Sequence, residues 1–202
     1  MSKTKRRTKA DFRGRAMAWL FLVCALLGCL LALTLRPAFY GGFEAVPRAL
    51  NGDLEGLRSY AFTEREIAHM ADVAHLYLLA KIVLCVGAVL FLALAVWTYC
   101  KPQHKKSVAK GALLGVADAF VLMGAIVLWA VIDFRSAFWA FHHIAFTNDL
   151  WLLDPNDLLI RMMPQAFFEH AARQIALCWA GCAAIWCVGW GIVRMRTKQE
   201  RN

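Results

Sequence analysis

Apolar positions in this chain come in long runs, not at the spacing of a half-buried helix face. Four runs, at roughly residues 16–35, 76–99, 111–132 and 171–193, are each long enough to cross the ~30 Å hydrocarbon core as a helix rising about 1.5 Å per residue. The pattern predicts an all-α, polytopic membrane protein. It has one membrane domain over residues 1–202, with four transmembrane helices and two mixed segments, 36–75 and 133–170, that carry short interfacial helices. The chain shows no internal repeat, low-complexity tract or second soluble domain.

Punctuation between the runs adds detail. Arg36-Pro37 ends the first, and Gly41, Gly42, Pro47 and Gly52 break up the segment after it. Thr63-Glu64-Arg65-Glu66 has capping-box spacing and predicts a helix starting at 64. Unbroken to Tyr99, that helix measures about 54 Å, so it projects beyond the membrane or bends near Ala71–His75. His69, Asp72 and His75 recur on it every three residues and lie close together on its surface. Further on, Asp154 suits an N-cap, Pro155 the first helical position, and Asp157 the positive end of a helix dipole. A short helix from there to about Met163 is expected, stopped by Pro164. Its Leu158, Leu159, Met162 and Met163 set against Asp157 and Arg161 suggest an interfacial helix, and Trp139 and Trp151 fit an aromatic belt.

Composition agrees with the runs: 60% of the 202 residues are hydrophobic. The net charge of +9 could suggest nucleic acid, but its layout argues otherwise. Fifteen of the 23 basic residues fall on the N-terminal tail, the loop after the second run and the C-terminal tail, while eleven of the fourteen acids fall on 36–75 and 133–170. This positive-inside asymmetry predicts both termini in the cytoplasm, with basic tails against anionic lipid headgroups. No nucleic-acid partner is expected. Leu26-Leu27-Gly28-Cys29 resembles a lipobox, but the apolar run continues through Leu35 and favours an uncleaved span.

The seven cysteines lie in the apolar runs or at their cytoplasmic ends, so no disulfide framework is expected. Cys178 and Cys182 are one helical turn apart, and packing is the expected role for both. Lys81 and Asp118 are charges within the runs, read as snorkelling or ion-paired groups and as functional candidates.

The stretch Phe141 to Phe168 carries the candidate chemistry. It is too polar to span a bilayer and too aromatic for an ordinary wet loop. The outer segments hold no cysteine and no Gly-x-Ser-x-Gly elbow, and Ser59 and Ser136 sit in no nucleophile motif. No His-Glu-x-x-His appears, and no histidine spacing is diagnostic of zinc. What remains is histidine acting with carboxylate, which suits direct acyl transfer with the nucleophile on the substrate. Asp72 can orient His69 or another imidazole, and His142, from the other segment, can face them.

TEREIAHMADV (63–73) before one span and FHHIAFTNDLWLLDPNDLLIRMMPQAFF (141–168) between the next two resemble the four-span lipoprotein intramolecular transacylases of bacterial cell membranes. The specific part is an F-H-x-x-x-F, N-x-x-W, D-P, D-x-L-I-x-x-x-P, F-F pattern, and the order of spans and basic loops matches over essentially the whole chain. The chain departs from the family at Ala74, where a lysine is common. The resemblance implies transfer of the sn-2 acyl chain of a diacylated lipoprotein onto the α-amine of its N-terminal cysteine, giving a lyso-form lipoprotein. It implies an acyl transfer without cofactor, metal or acyl-enzyme, in which His69, His142 and Asp72 are catalytic. His143, Asp149, Trp151, Asp154 and Arg161 become candidates for support or substrate binding. A monomer is compatible with the pattern. Two other classes fit the same residues: another His/Asp lipid acyltransferase or hydrolase, and a non-enzymatic four-helix scaffold.

Overall fold

The computed structural model describes residues 3–100 and 105–199. Lys101, Glu200 and Arg201 of the charge argument lie outside them, as do the side chains before Asp11 and after Arg196. The described residues form α-helices in the order α1 (Lys3–Thr34), α2 (Ala45–Leu50), α3 (Glu55–Arg58), α4 (Glu64–Tyr99), α5 (Lys105–Ile132), α6 (Phe134–Ala145), α7 (Leu158–Met162) and α8 (Gln165–Gln199), with a 3-10 turn at Pro37–Tyr40. Four of them, α1, α4, α5 and α8, are long and apolar enough to cross a membrane. The architecture is that of an all-α integral membrane protein.

The long helices outrun the apolar runs because their polar ends keep helical geometry. The helix α4 is continuous over 36 residues from Glu64, so its first turns precede the apolar run at 76–99. The capping box is present, with the Glu66 N–H donating to Thr63 Oγ1 at 3.2 Å and the Thr63 N–H to Glu66 Oε2 at 2.6 Å. The short helix in the second segment differs from expectation. It starts at Leu158 with Asp157 as N-cap, not at Pro155. Asp154 closes a local turn, accepting from the Asn156 N–H at 2.8 Å, while Asp157 reaches back to the Asp154 N–H at 2.8 Å. Those side-chain oxygens satisfy the turn itself, so the helix begins after it. α6 was not foreseen as a separate element. Asp133 caps it through the Ser136 N–H at 3.0 Å.

Two compact units emerge from the contacts. One comprises residues 1–26, 83–126 and 177–202. Its core joins Met17, Ala18 and Leu22 to Val108, Ala112, Val116 and Ala119 and to Trp179, Ala183 and Trp186, with Phe91, Leu94 and Ala95 against it. Small residues let α1 and α5 approach closely: a Cβ on Gly111 would enter the Asp11 carbonyl, and one on Gly115 would lie 2.8 Å from Ala18 Cβ. Asp118, flagged as an intramembrane charge, pairs with Arg15 at 3.1 Å.

The other unit comprises residues 27–82 and 127–176. Its core gathers Ala45, Val46, Ala49 and Leu50 of α2, Leu57, Phe62, Ile67, Met70, Leu159 and Met163. Tyr77 donates to Thr34 at 2.8 Å. This unit carries the candidate chemistry.

Candidate active site

Two histidines meet in the second unit. His69 sits on the second turn of α4 and His142 near the end of α6; both are 7% exposed, and their ring centroids are 6.2 Å apart. They are 73 positions apart in sequence, so only the fold brings them together.

Aromatic rings wall the pair. The Phe138 and Trp151 centroids lie 4.1 and 5.0 Å from that of His142, and Phe146 lies edge-on to His69 at 5.2 Å. Phe138 is backed by Phe168 at 5.2 Å, which gives the second of the paired phenylalanines after Pro164 a role in supporting His142. Trp151 is 8% exposed, so it is a wall of this site and not a member of the aromatic belt expected for it. Trp139 is 43% exposed and meets Trp151 edge-on at 5.1 Å.

The hydrogen bonds fix one tautomer. His142 Nδ1 lies 2.8 Å from the Phe138 carbonyl, and a carbonyl only accepts. Nδ1 therefore carries the proton in neutral His142, which leaves the Nε2 lone pair available. Burial pushes the His142 pKa below its ordinary 6.5; the Phe138 carbonyl pulls the other way and the His143 charge adds to the lowering. His69 Nδ1 is buried with no hydrogen-bond partner among the described residues. A buried imidazole nitrogen without a partner calls for an explanation, and a reacting group supplies one.

Asp72 does not hydrogen-bond either imidazole. Its Oδ2 accepts from Asn148 Nδ2 at 2.9 Å, and it acts on His69 only through space. Asn148 Oδ1 in turn accepts from the Leu150 N–H at 3.0 Å, and Arg65 donates to the Asp149 carbonyl. Asp72 and Arg65 thus tie the 147–153 loop to α4, and that loop delivers Trp151 onto His142. Asp149 takes part here through its backbone. His143 is exposed; its Nδ1 donates to the Trp139 carbonyl at 2.9 Å, and its ring stacks on Trp139. Asp154 closes its turn away from the pair, and Arg161 is exposed on α7. His75 is exposed and lines a separate cavity with Lys81.

Sequence reasoning missed the second role of Glu66. This side chain is 0% exposed. Besides closing the capping box, its Oε1 accepts from the Leu159 N–H of α7 at 2.6 Å. One carboxylate thus satisfies the starts of two helices, one turn before His69 on α4. An acid three positions ahead of a candidate catalytic histidine, at a helix start, was the available signal. Phe138 and Phe146 carried a signal only as neighbours of His142 in the apolar stretch.

A family model described as "Lipoprotein intramolecular transacylase Lit" matches residues 49–168, which include both histidines, Asp72, Asn148 and Trp151. No protein of curated function matches the chain. Among solved structures, the in meso structure of the membrane integral lipoprotein intramolecular transacylase Lit from Bacillus cereus is similar at 17% identity and TM-score 0.73, covering 95% of this chain and 99% of that one. Variants of that Bacillus cereus protein are similar too. A histidine-to-arginine variant is 16% identical with TM-score 0.68, covering 98% of this chain and 96% of its own. A histidine-to-alanine variant is 19% identical with TM-score 0.66, covering 99% of each chain.

Proposed function

Since the chain belongs to the lipoprotein intramolecular transacylase family Lit, and is an acyltransferase by that membership, we propose that it moves the sn-2 acyl chain of a diacylated lipoprotein onto the α-amine of the same lipoprotein's N-terminal cysteine. The observation that carries this reading is the meeting of His69 and His142 at 6.2 Å inside the family-matched segment. Serine is no competitor there: Ser59 and Ser136 are both exposed, and Ser59 Oγ donates to the Gly56 carbonyl.

His142 Nε2 takes a proton from the substrate amine as the nitrogen attacks the sn-2 ester carbonyl. The tetrahedral intermediate collapses by breaking the carbon–oxygen bond to glycerol, and the departing oxygen takes a proton from the His69 imidazole as the His142 imidazolium returns one to it, so the proton removed from the amine ends on the glycerol oxygen and both rings end neutral. The products are an amide and a free sn-2 hydroxyl, with no acyl group left on the protein. Donor and acceptor belong to one molecule, so holding them together supplies much of the rate advantage. The aromatic walls exclude water that would otherwise hydrolyse the ester. Asp72 acts as a positioning residue through Asn148 and the loop bearing Trp151. His143, Asp149, Asp154 and Arg161 support the site or receive the lipoprotein, with Arg161 the exposed cation among them.

The test is incubation of purified protein with a diacylated lipopeptide, followed by fragmentation mass spectrometry. Transfer leaves the intact mass unchanged and relocates the acyl chain to nitrogen. Loss of an acyl mass would make the protein a hydrolase, and an unchanged peptide would favour a scaffold. The reading also puts both termini in the cytoplasm and the site at the outer face of the bacterial cell membrane. Cysteine placed at Ser59 or Ser136 in a background without native cysteines should then be labelled from outside; labelling only after permeabilisation would reverse the orientation.

A further inference from the structure

Lys81 lies on α4 five residues past the start of the apolar run at 76, about 8 Å into it at helical rise. Its ammonium donates to the neutral Asn51 Oδ1 at 2.6 Å, and no carboxylate among the described residues pairs with it. Asn51 is oriented for this contact, because its Nδ2 donates to the Pro47 carbonyl at 2.9 Å and turns Oδ1 toward the lysine. An ammonium has three donors, so two remain. It opens into a cavity of about 180 Å³ lined by Leu50, Asn51, Leu54, Ala74, His75 and Leu78 among others. One wall is apolar, and the polar side carries a cation, an imidazole and an amide.

A cation embedded at this depth without a counter-charge is costly, and it is normally compensated by an anion or by water. We propose that this cavity binds the phosphodiester of an anionic phospholipid, with Lys81 as the charge partner, His75 as a second polar contact, and Leu54 and Leu78 against the lipid's apolar part. A lipid headgroup is favoured over a soluble anion because the cation stands within the apolar run and the cavity offers hydrocarbon as well as charge. The proposal rests on the placement of α4 in the membrane and not on acyl transfer. It assigns a function to the one charge of the α4 apolar run that the histidine chemistry leaves unused.

Native mass spectrometry of the purified protein released from detergent micelles tests it, with three probes offered at equal concentration: phosphatidylglycerol, diacylglycerol and inorganic phosphate. Wild type should retain one phosphatidylglycerol and neither of the other two. Lys81→Met should lower that retention by roughly tenfold or more, the loss expected for one charge-assisted contact. Lys81→Arg should keep it. Ala74→Phe, which fills the cavity without touching the charge, should abolish it, and it decides the matter if Lys81→Met is not monodisperse. Equal retention in Lys81→Met or Ala74→Phe overturns the proposal. So does diacylglycerol bound as well as phosphatidylglycerol, which would mean that the groove reads only tails, and so does capture of inorganic phosphate in place of lipid. Because the readout is binding, a failure here leaves the transacylation assay unaffected.

Discussion

In the unit built on residues 1–26, 83–126 and 177–202, two buried indole nitrogens and the Thr98 hydroxyl have fixed backbone partners, and Asp11 Oδ1 is buried without one among the described residues. Trp179 donates to the Leu22 carbonyl at 3.0 Å and Trp186 to that of Ala112 at 3.3 Å. In the unit built on 27–82 and 127–176, the buried polar groups are a threonine hydroxyl, a carboxylate and two imidazoles. Among the described residues, the second interior holds groups that exchange protons near neutral pH and the first holds no buried histidine. Glu66 has both oxygens occupied, which reads as structure. The imidazoles leave ring nitrogens uncommitted, which reads as chemistry. Between Glu66 and the imidazoles of this unit, exposure alone would not have separated these roles; the count of satisfied partners does.

The difference can be broken most sharply at the histidines. His69→Gln and His142→Gln should each cut turnover on a diacylated lipopeptide by about 10²–10⁴ while leaving the melting temperature nearly unchanged. The double variant should lose far less than the product of the two losses, because the rings act as one unit. His170, exposed and bonded only to Arg173 and Gln174, supplies the control, and His170→Gln should be nearly silent. Near wild-type rates in both folded single variants would remove the histidine mechanism.

Glu66→Gln should do the reverse and fail in stability first. An amide NH₂ would face a backbone N–H where a carboxylate oxygen now accepts, and one lost charge-assisted bond of this kind costs about 1.5–3 kcal/mol. A thermal shift assay should show a clear drop, accompanied by reduced turnover because α4 and α7 lose their shared anchor. An unchanged melting temperature would contradict the bridging role. Gly111→Leu probes the other unit. Overpacking against the Asp11 backbone should cost about 1–3 kcal/mol or more, with turnover per folded molecule intact. If turnover fell in step with stability, the separation between a packing unit and a chemical unit would be lost.

The same division governs how much was legible in the sequence. The four long helices came from run length, and the start of α4 from the spacing of Thr63 and Glu66, because those features depend on local sequence alone. His69, His142 and Asp72 were legible as residue types in the right segments. Their arrangement was not: Asp72 meets Asn148 across 76 positions, and Glu66 meets Leu159 across 93. The start of α7 was misplaced because Asp154 and Asp157 compete for the same capping geometry, and only the surrounding turn decides between them. Trp151 looked like a membrane-belt residue because periodicity cannot distinguish a ring facing lipid from one facing histidine.

The smallest expected effect is on pH, and it tests whether burial of His142 matters to the chemistry. A base must be neutral to accept a proton, and the substrate α-amine must be neutral to attack, so the acid side of kcat/KM carries two inflections, the amine's at about 8 and below it that of the free enzyme's base. Burial lowers the base value of His142 from 6.5, so the second inflection should lie below 6.5, apart from that of the amine. The stability consequence has a definite sign. The folded state binds this proton less readily than the unfolded one, so the contribution is complete above the unfolded value and declines as pH falls from there toward the folded value. His142→Gln should flatten that part of the stability profile. Trp151→Ala sharpens the test, because removing a ring whose centroid lies 5.0 Å from that of His142 admits water to the imidazole. Its second inflection should move up toward 6.5 while that of the amine stays where it is, with the catalytic groups still in place. A second inflection that does not move, or moves down, in Trp151→Ala would mean that the aromatic wall does not set the protonation of His142.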